Sequence, residues 1–297
     1  MKNKLLFVAG LFSAFVGFSQ EKDKDLLKKT EETVEKIKDE KPNGWDKKGV
    51  FTLLANQASF TNWQAGGQSS VSGNIGLNYD INYKSDRWSW DNKIVAAYGL
   101  SKINGQELQK TDDRVGFNSL LGYKASGYWY YSGFLNFKTQ FDSGIDPENQ
   151  GIKNSHFFSP AYFQIGPGLM WKKSDDFKFN FAPVTSRVII VHSHFTEFGS
   201  SFGVEQGESL RYEFGASFIG YYKFNVMENV TAENILNLYS NYLERPKNID
   251  LDYTLNIVMK INKSLTTNFA FQTIYDDNAF RGFQIREVIG LGVNYTF

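Results

Sequence analysis

The sequence predicts an all-β protein, an antiparallel transmembrane β-barrel of about twelve strands, and three observations support this. The C-terminal segment Ile289–Phe297 alternates apolar residues with small or polar ones and ends on an aromatic residue. The same alternation returns along most of the chain. Short and long connections between the alternating segments also alternate. Because a strand sends successive side chains to opposite faces, each segment has one apolar and one polar face.

The C-terminal segment predicts a route of assembly as well as a strand. Val293, Tyr295 and Phe297 share its apolar face. This arrangement resembles the C-terminal signal by which bacterial outer-membrane barrels are recognised for assembly. It implies a place in the bacterial outer membrane, with lipid, lipopolysaccharide and the barrel-assembly machinery as partners.

The N-terminal residues predict secretion. Lys2 and Lys4 precede an apolar stretch at 5–18, which is shorter than the ~20 residues of a membrane-spanning helix. We therefore predict a cleaved signal peptide at 1–19. The charged residues 20–48 predict a periplasmic helix or linker, with docking of a periplasmic protein as the alternative, and the barrel is predicted at 49–297.

Twelve segments fit the alternating pattern, and the second is the clearest. Its apolar face carries Val71, Ile75 and Tyr79, and its polar face carries Asn74 and Asp80. The predicted strands lie near 49–60, 69–84, 87–102, 112–125, 128–142, 157–173, 177–191, 209–224, 228–243, 248–260, 264–276 and 282–297.

The connections indicate how the barrel is oriented. Several are tight, and the links that alternate with them are often longer, notably 103–111, 143–156 and 192–208. Bacterial barrels have short periplasmic turns and longer extracellular loops. With an even number of strands, both termini are therefore predicted to lie on the periplasmic side.

Composition agrees with a membrane barrel and argues against other classes. Aromatic residues make up 16% of the chain, although its mean hydropathy is only −0.39, as expected when polar lumen residues alternate with lipid-facing ones. Zero cysteines exclude a thiol nucleophile and Cys-ligated metals, and zero net charge argues against nucleic-acid binding. A soluble β-sandwich or lipocalin-like barrel is the alternative fold, but several segments are long compared with the ~5–6 residues typical of soluble strands.

A few positions do not fit the pattern. Glu287, Asn92 and Asn234 fall on predicted lipid-facing sides. We expect Glu287 to lie near the outer rim, where a charge is tolerated. The alternation is also lost after Ala182-Pro183, which predicts a bulge or kink there.

His192 and His194 are weak candidates for catalysis or metal binding. Two histidines separated by one residue on a strand would share a face and could bind a metal together. The alternative is that they are polar residues where the seventh strand enters an extracellular loop. The Ser, His and Asn spacing of an outer-membrane phospholipase is absent from the sequence, so we expect no enzymatic activity and no cofactor.

Charged residues of both signs lie on the predicted inward faces. A pore selective for ions of one sign would show rings of that sign. The mixture favours a paired network or a narrow, weakly selective pore. The predicted lumen residues are Arg114, Lys124, Lys138, Arg211, Glu213, Lys223, Asp250, Asp252 and Arg286.

Four sequence motifs resemble those of the DUF3078 family, an uncharacterised outer-membrane family of Bacteroidota. The motifs are Phe60–Gly67, Ala182–Val188, Phe202–Gly207 and Tyr212–Gly215. The resemblance implies an outer-membrane protein of a flavobacterium-like organism and transfers no catalytic residue. The function predicted from the sequence is a porin-like channel for small solutes. The alternative is a non-catalytic structural subunit of a larger outer-membrane complex with other membrane or periplasmic proteins.

Overall fold

The computed structural model describes residues 43–60, 68–145 and 151–297. The predicted signal peptide 1–19 and residues 20–42 of the predicted charged segment lie outside the described residues. The described residues contain no helix long and apolar enough to cross a membrane.

Fourteen strands are described, and twelve of them build one closed sheet. The order around this sheet is β1-β14-β13-β12-β11-β10-β9-β8-β5-β4-β3-β2, and β6 and β7 form a separate two-stranded sheet. The strands are β1 Gly44–Ala58, β2 Ser70–Lys84, β3 Trp88–Ile103, β4 Gln109–Ser126, β5 Trp129–Thr139, β6 Gly144–Ile145, β7 Lys153–Ser155, β8 Ala161–Ser174, β9 Phe177–Ile190, β10 Leu210–Met227, β11 Val230–Asn241, β12 Ile249–Lys260, β13 Leu265–Asp276 and β14 Phe280–Thr296.

The sheet closes because the first and last strands pair antiparallel. Val50 lies opposite Thr296, and the register continues to Ala55 opposite Leu291. Every other neighbouring pair in the closed sheet is antiparallel as well. The predicted fold class, an antiparallel barrel of twelve strands, is confirmed.

The two ends of the barrel differ in their connections. Tight turns join β2 to β3, β4 to β5, β8 to β9, β10 to β11 and β12 to β13. The start of β1 and the end of β14 lie at the same end as these turns, because Lys84 pairs with Gly44 and the strands alternate in direction. We call this the short-turn end, and the opposite one the long-loop end.

The first strand begins earlier than the sequence prediction placed it. Gly44 to Lys48 pair with Lys84 to Asp80 in continuous register, so the predicted linker 20–48 overlaps β1. The Trp45 ring lies 5.1 Å from the Tyr83 ring. Three charged residues follow Trp45, so the alternation of apolar and polar residues that would mark a strand is not visible here in the sequence.

The predicted irregularity after Pro183 is a bulge in β9. Ile165 on β8 lies opposite Ser186, whereas Leu169 lies opposite Phe181, so β9 contains one more residue than its partner over this stretch. The Thr185 hydroxyl donates a hydrogen bond to the Ala182 carbonyl at 3.0 Å across the bulge. The prediction of a bulge or kink is confirmed.

The outer face of the barrel is apolar along most strands. On β14, for example, Ile285, Ile289 and Val293 expose 64%, 62% and 48% of their surface. Glu287 lies on this face opposite Phe271 of β13 and is exposed. Large apolar side chains on the outside and polar ones inside reverse the arrangement of a soluble barrel.

Aromatic side chains lie at the short-turn ends of several strands. Trp45 contacts Trp90 at 5.8 Å, Trp88 contacts Tyr123 at 4.9 Å, and Phe177 contacts Tyr222 at 5.2 Å between ring centroids. Amphipathic aromatic residues are enriched where a membrane barrel meets the headgroup region.

Candidate functional site in the barrel lumen

The interior of the barrel is crossed by ion pairs between strands that are not neighbours. In a closed sheet such side chains can meet only on the inside. The pairs form three clusters, which we name the Glu233 cluster, the Asp112 cluster and the Arg187 cluster after a shared member of each.

The Glu233 cluster joins opposite walls. Lys93 of β3 and Glu233 of β11 are separated by five strands in either direction around the sheet, yet the Lys93 Nζ and Glu233 Oε1 atoms are 2.9 Å apart. Glu233 also accepts hydrogen bonds from the Tyr221 hydroxyl at 2.9 Å and the Asn256 amide at 3.0 Å. This carboxylate is therefore held by three groups at once.

Asp91 adds two more lysines to the same part of the lumen. Lys172 Nζ lies 2.8 Å from Asp91 Oδ1, and Lys178 forms an ion pair with Asp91 Oδ2. Lys93 and Lys178 both lie over the Tyr221 ring, at 5.7 and 5.4 Å from its centroid. Charged and aromatic side chains therefore meet in this part of the lumen.

The Asp112 cluster contains two carboxylates and three cations. Lys138 of β5 reaches Asp252 of β12 at 2.6 Å. Arg286 of β14 reaches Asp112 of β4 at 3.0 Å, and Arg114 Nε lies 3.6 Å from the other oxygen of Asp112. The side chains of Lys138 and Arg114 remain 41% and 36% exposed, so this part of the lumen is reached by solvent.

The Arg187 cluster lies nearest the long-loop end. Arg187 pairs with Asp250 at 2.5 Å, Asp276 at 3.2 Å and Glu213 at 3.4 Å. Its guanidinium carbon also lies 5.1 Å from the centroid of the Tyr239 ring. The carboxylate oxygens of Asp250, Asp276 and Asp277 lie within 4.8 Å of one another, and Arg187 supplies the positive charge that lets two of them approach.

The connection between β9 and β10 folds onto this end of the barrel. Val204, in this connection, is fully buried and packs with Ile189 and Val191. Arg211 Nη1 donates a hydrogen bond to the Gly203 carbonyl at 2.9 Å, and Arg211 Nε pairs with Glu213 at 2.7 Å. Arg211 of the barrel wall thus connects this loop to Glu213.

Most of the predicted lumen residues take part in these clusters. Two do not: Lys124 is exposed near the short-turn end of β4, and Lys223 is half-buried opposite Glu233 on β11. The predicted residues that join an interior ion pair are Arg114, Lys138, Arg211, Glu213, Asp250, Asp252 and Arg286.

Several members of the clusters were not among the predicted residues. Asp91 and Lys93 fall on the polar parity of β3, and Glu233 falls on that of β11, so counting alternate positions could have found them. Arg187 follows the β9 bulge, where the parity changes. No simple sequence signal pairs a residue with its partner across the lumen.

The two histidines lie beyond the end of β9 and therefore do not share a strand face. His192 precedes a short 3-10 helix, Ser193–Phe195, and its Nδ1 accepts a hydrogen bond from the His194 backbone N–H at 3.2 Å. His194 Nδ1 lies 3.9 Å from Glu197. The expected geometry for joint metal binding on a strand was wrong, because the strand ends at Ile190.

The residues of the predicted assembly signal lie on the outside of the barrel. Val293 and Tyr295 are exposed on β14, and Phe297 ends the chain beside β1. The Gly49 N–H donates to the Phe297 carbonyl at 2.8 Å, and the Phe297 N–H donates to the Gly49 carbonyl at 3.0 Å. The Phe297 ring stacks on Tyr79 with 5.9 Å between centroids.

A family model described as "Protein of unknown function (DUF3078)" matches residues 55–145. Of the four motifs that suggested this family, only Phe60–Gly67 falls within the matched range. No functionally curated protein matches the chain in sequence.

Several solved structures are similar to the chain, with sequence identities of about 10%. The translocator domain of autotransporter NalP from Neisseria meningitidis is 10% identical, with a TM-score of 0.35, over 92% of this chain and 95% of that one. An outer membrane channel from Pseudomonas putida F1 is 10% identical, with a TM-score of 0.38, over 86% and 95%. The NanC porin is 9% identical, with a TM-score of 0.34, over 84% and 98%.

Proposed function

We propose that this protein is a non-catalytic outer-membrane barrel that passes small solutes through a narrow lumen held by ion pairs. The apolar outer face and the aromatic side chains of the short-turn end support a membrane location. We place the short-turn end, with both chain ends, in the periplasm, because bacterial barrels have their short turns there.

The observation that carries the channel proposal is the solvent contact of charged side chains that cross the lumen. Lys138 spans the interior to Asp252 and keeps 41% of its side chain exposed. Charged groups that meet in water-filled space narrow a pore without drying it. A lumen of this kind suits small polar solutes better than large ones.

A second candidate is a non-conducting structural subunit of a larger outer-membrane complex. The packed connection between β9 and β10 favours it, because Val204 is fully buried against Ile189 at the long-loop end. If this loop stays in place, the barrel would act through its surfaces rather than through its interior.

Conductance in planar bilayers distinguishes the two candidates. For the purified, folded protein we expect a small single-channel conductance. The substitution Lys93→Ala removes the side chain that reaches across the lumen to Glu233, so we expect the conductance to increase. The matched control is Lys47→Ala, which removes the same group from the outward side of β1, where Lys47 pairs with Ile81.

The outcome decides between the proposals. Conductance that increases with Lys93→Ala and not with Lys47→Ala supports the channel. If both the wild-type protein and the Lys93→Ala variant insert without any conductance, the channel proposal is wrong and the structural subunit is favoured.

A further inference from the structure

Two arginines in the lumen share one carboxylate. Arg286 Nη1 lies 3.0 Å from Asp112 Oδ2, and Arg114 Nε lies 3.6 Å from Asp112 Oδ1. The Asn74 amide also donates to Asp112 Oδ2 at 3.2 Å. Asp112 therefore accepts a hydrogen bond from Asn74 and forms ion pairs with two guanidinium groups, and one carboxylate cannot satisfy both of them.

The arginines retain N–H groups without acceptors. Arg114 Nε and both terminal nitrogens of Arg286 are buried and make no hydrogen bond to a described residue. Each guanidinium carries five N–H donors in a fixed plane. A buried donor without an acceptor costs free energy, so an acceptor placed between these groups would be stabilised.

The charges around this point do not balance. The cluster holds three positive side chains, Arg114, Arg286 and Lys138, and two negative ones, Asp112 and Asp252, which leaves one positive charge. The two carboxylate oxygens of Asp252 accept hydrogen bonds from Lys138 and Gln272, at 2.6 and 2.9 Å, rather than from the arginines.

We propose that Arg114 and Arg286 form a binding site in the lumen for a small oxyanion, a phosphate or carboxylate group. The planar fork of a guanidinium matches the spacing of oxygens in both groups. One bound anion would balance the extra charge and accept hydrogen bonds from the unsatisfied nitrogens. The side chains of Arg114 and Arg286 are 36% and 26% exposed, but their unpartnered nitrogens are buried, so these side chains must turn towards the lumen to bind an anion.

This site does not depend on transport. A channel could bind the anion as it passes, and a closed barrel could hold it as a structural group. Binding is therefore measured on the folded protein in detergent, where conductance plays no part.

Isothermal titration with inorganic phosphate tests the proposal, with acetate and chloride titrated at the same ionic strength. We expect saturable binding of phosphate or acetate to the wild-type barrel, and weaker binding of chloride. Arg286→Gln and Arg114→Gln should each weaken oxyanion binding by roughly tenfold or more, as the loss of charge-assisted hydrogen bonds typically does.

Two further variants separate a binding role from a general effect. Lys124→Gln removes one positive charge from the same strand as Arg114 but outside the cluster, and should leave binding unchanged. Arg286→Lys keeps the charge and loses the fork, and it replaces Arg286→Gln if that variant does not fold. The proposal is wrong if the wild-type protein binds neither phosphate nor acetate, or if the Arg286 variant that folds binds them as tightly as wild type.

Discussion

At the scale of single residues, polar side chains on the outer face are satisfied by their neighbours in the wall. Asn92 is only 7% exposed, and its amide donates to the Ile81 carbonyl at 2.9 Å. Asn234 donates to the Tyr222 carbonyl at 3.2 Å and accepts from the Tyr253 hydroxyl at 2.8 Å. A polar group with such partners is far less costly in lipid than a free one.

These two asparagines also mark what the sequence could predict about residues. Alternation correctly places both on the outer face, because parity depends only on the chain itself. It cannot show that Asn234 lies beside the Tyr253 hydroxyl, since that contact depends on the register between two strands. They therefore stood out in the sequence as exceptions, although the structure pairs them.

The contact between the Phe297 ring and Gly49 gives a prediction at this scale. A Cβ atom on Gly49 would approach Phe297 Cε1 to 2.7 Å, so the ring must move if Gly49 gains a side chain. We expect Gly49→Ala to lower the free energy of unfolding by about 1 kcal/mol or more, the usual effect of overpacking. The measurement is a urea titration in lipid vesicles, in which tryptophan fluorescence monitors unfolding.

Gly73→Ala is the control for Gly49→Ala. Gly73 lies on the adjacent strand β2, and an added Cβ would meet nothing closer than the Leu54 carbonyl at 3.9 Å. Equal stability of the two variants would show that the seat of Phe297 on Gly49 does not contribute to closing the barrel.

At the scale of elements, the β9 bulge fits against glycines of its neighbour. A Cβ on Gly168 of β8 would meet the Phe181 carbonyl and would approach the Ala182 Cα to 3.0 Å. Because these are backbone atoms, they cannot move aside as a side chain does. We expect Gly168→Ala to destabilise the barrel by about 1–3 kcal/mol, measured by the same urea titration.

Gly133→Ala on the neighbouring strand β5 is the matched variant, because a Cβ there would meet nothing within 4 Å. We expect it to unfold at nearly the same urea concentration as wild type. If Gly168→Ala is as stable as Gly133→Ala, the bulge is not held by close contact with β8.

The elements show where sequence patterns succeed and where they fail. The break after Pro183 is visible in the sequence, because Pro cannot donate to a ladder and the apolar parity changes. The start of β1 is hidden, because Asp46, Lys47 and Lys48 look like a charged linker. Only pairing with β2 reveals that these residues are part of the wall.

At the scale of the whole molecule, strand number and chain direction follow from the pattern, but the contents of the lumen do not. Which side chains meet across a barrel depends on strand tilt and shear, and neither can be predicted from the sequence of a single strand. Lys138 and Asp252 were each predicted to face inward, yet nothing in the sequence pairs them. Their contact is a property of the closed sheet.

The central claim is that ion pairs cross the lumen between walls that are not neighbours, and cross-linking tests it most directly. The chain has no cysteine, so Lys138→Cys and Asp252→Cys introduce the only two thiols. A second protein with Lys124→Cys and Asp252→Cys is the control, because Lys124 lies near the short-turn end. Both are treated with a short bis-maleimide in the folded state, unfolded, and cleaved between the two positions.

In the protein with Lys138→Cys and Asp252→Cys, we expect the cross-link to keep the two fragments joined within one molecule. In the control protein, we expect the fragments to separate. Fragments of the 138 and 252 protein that separate, or that join only between molecules, would contradict the crossing of the lumen by these side chains.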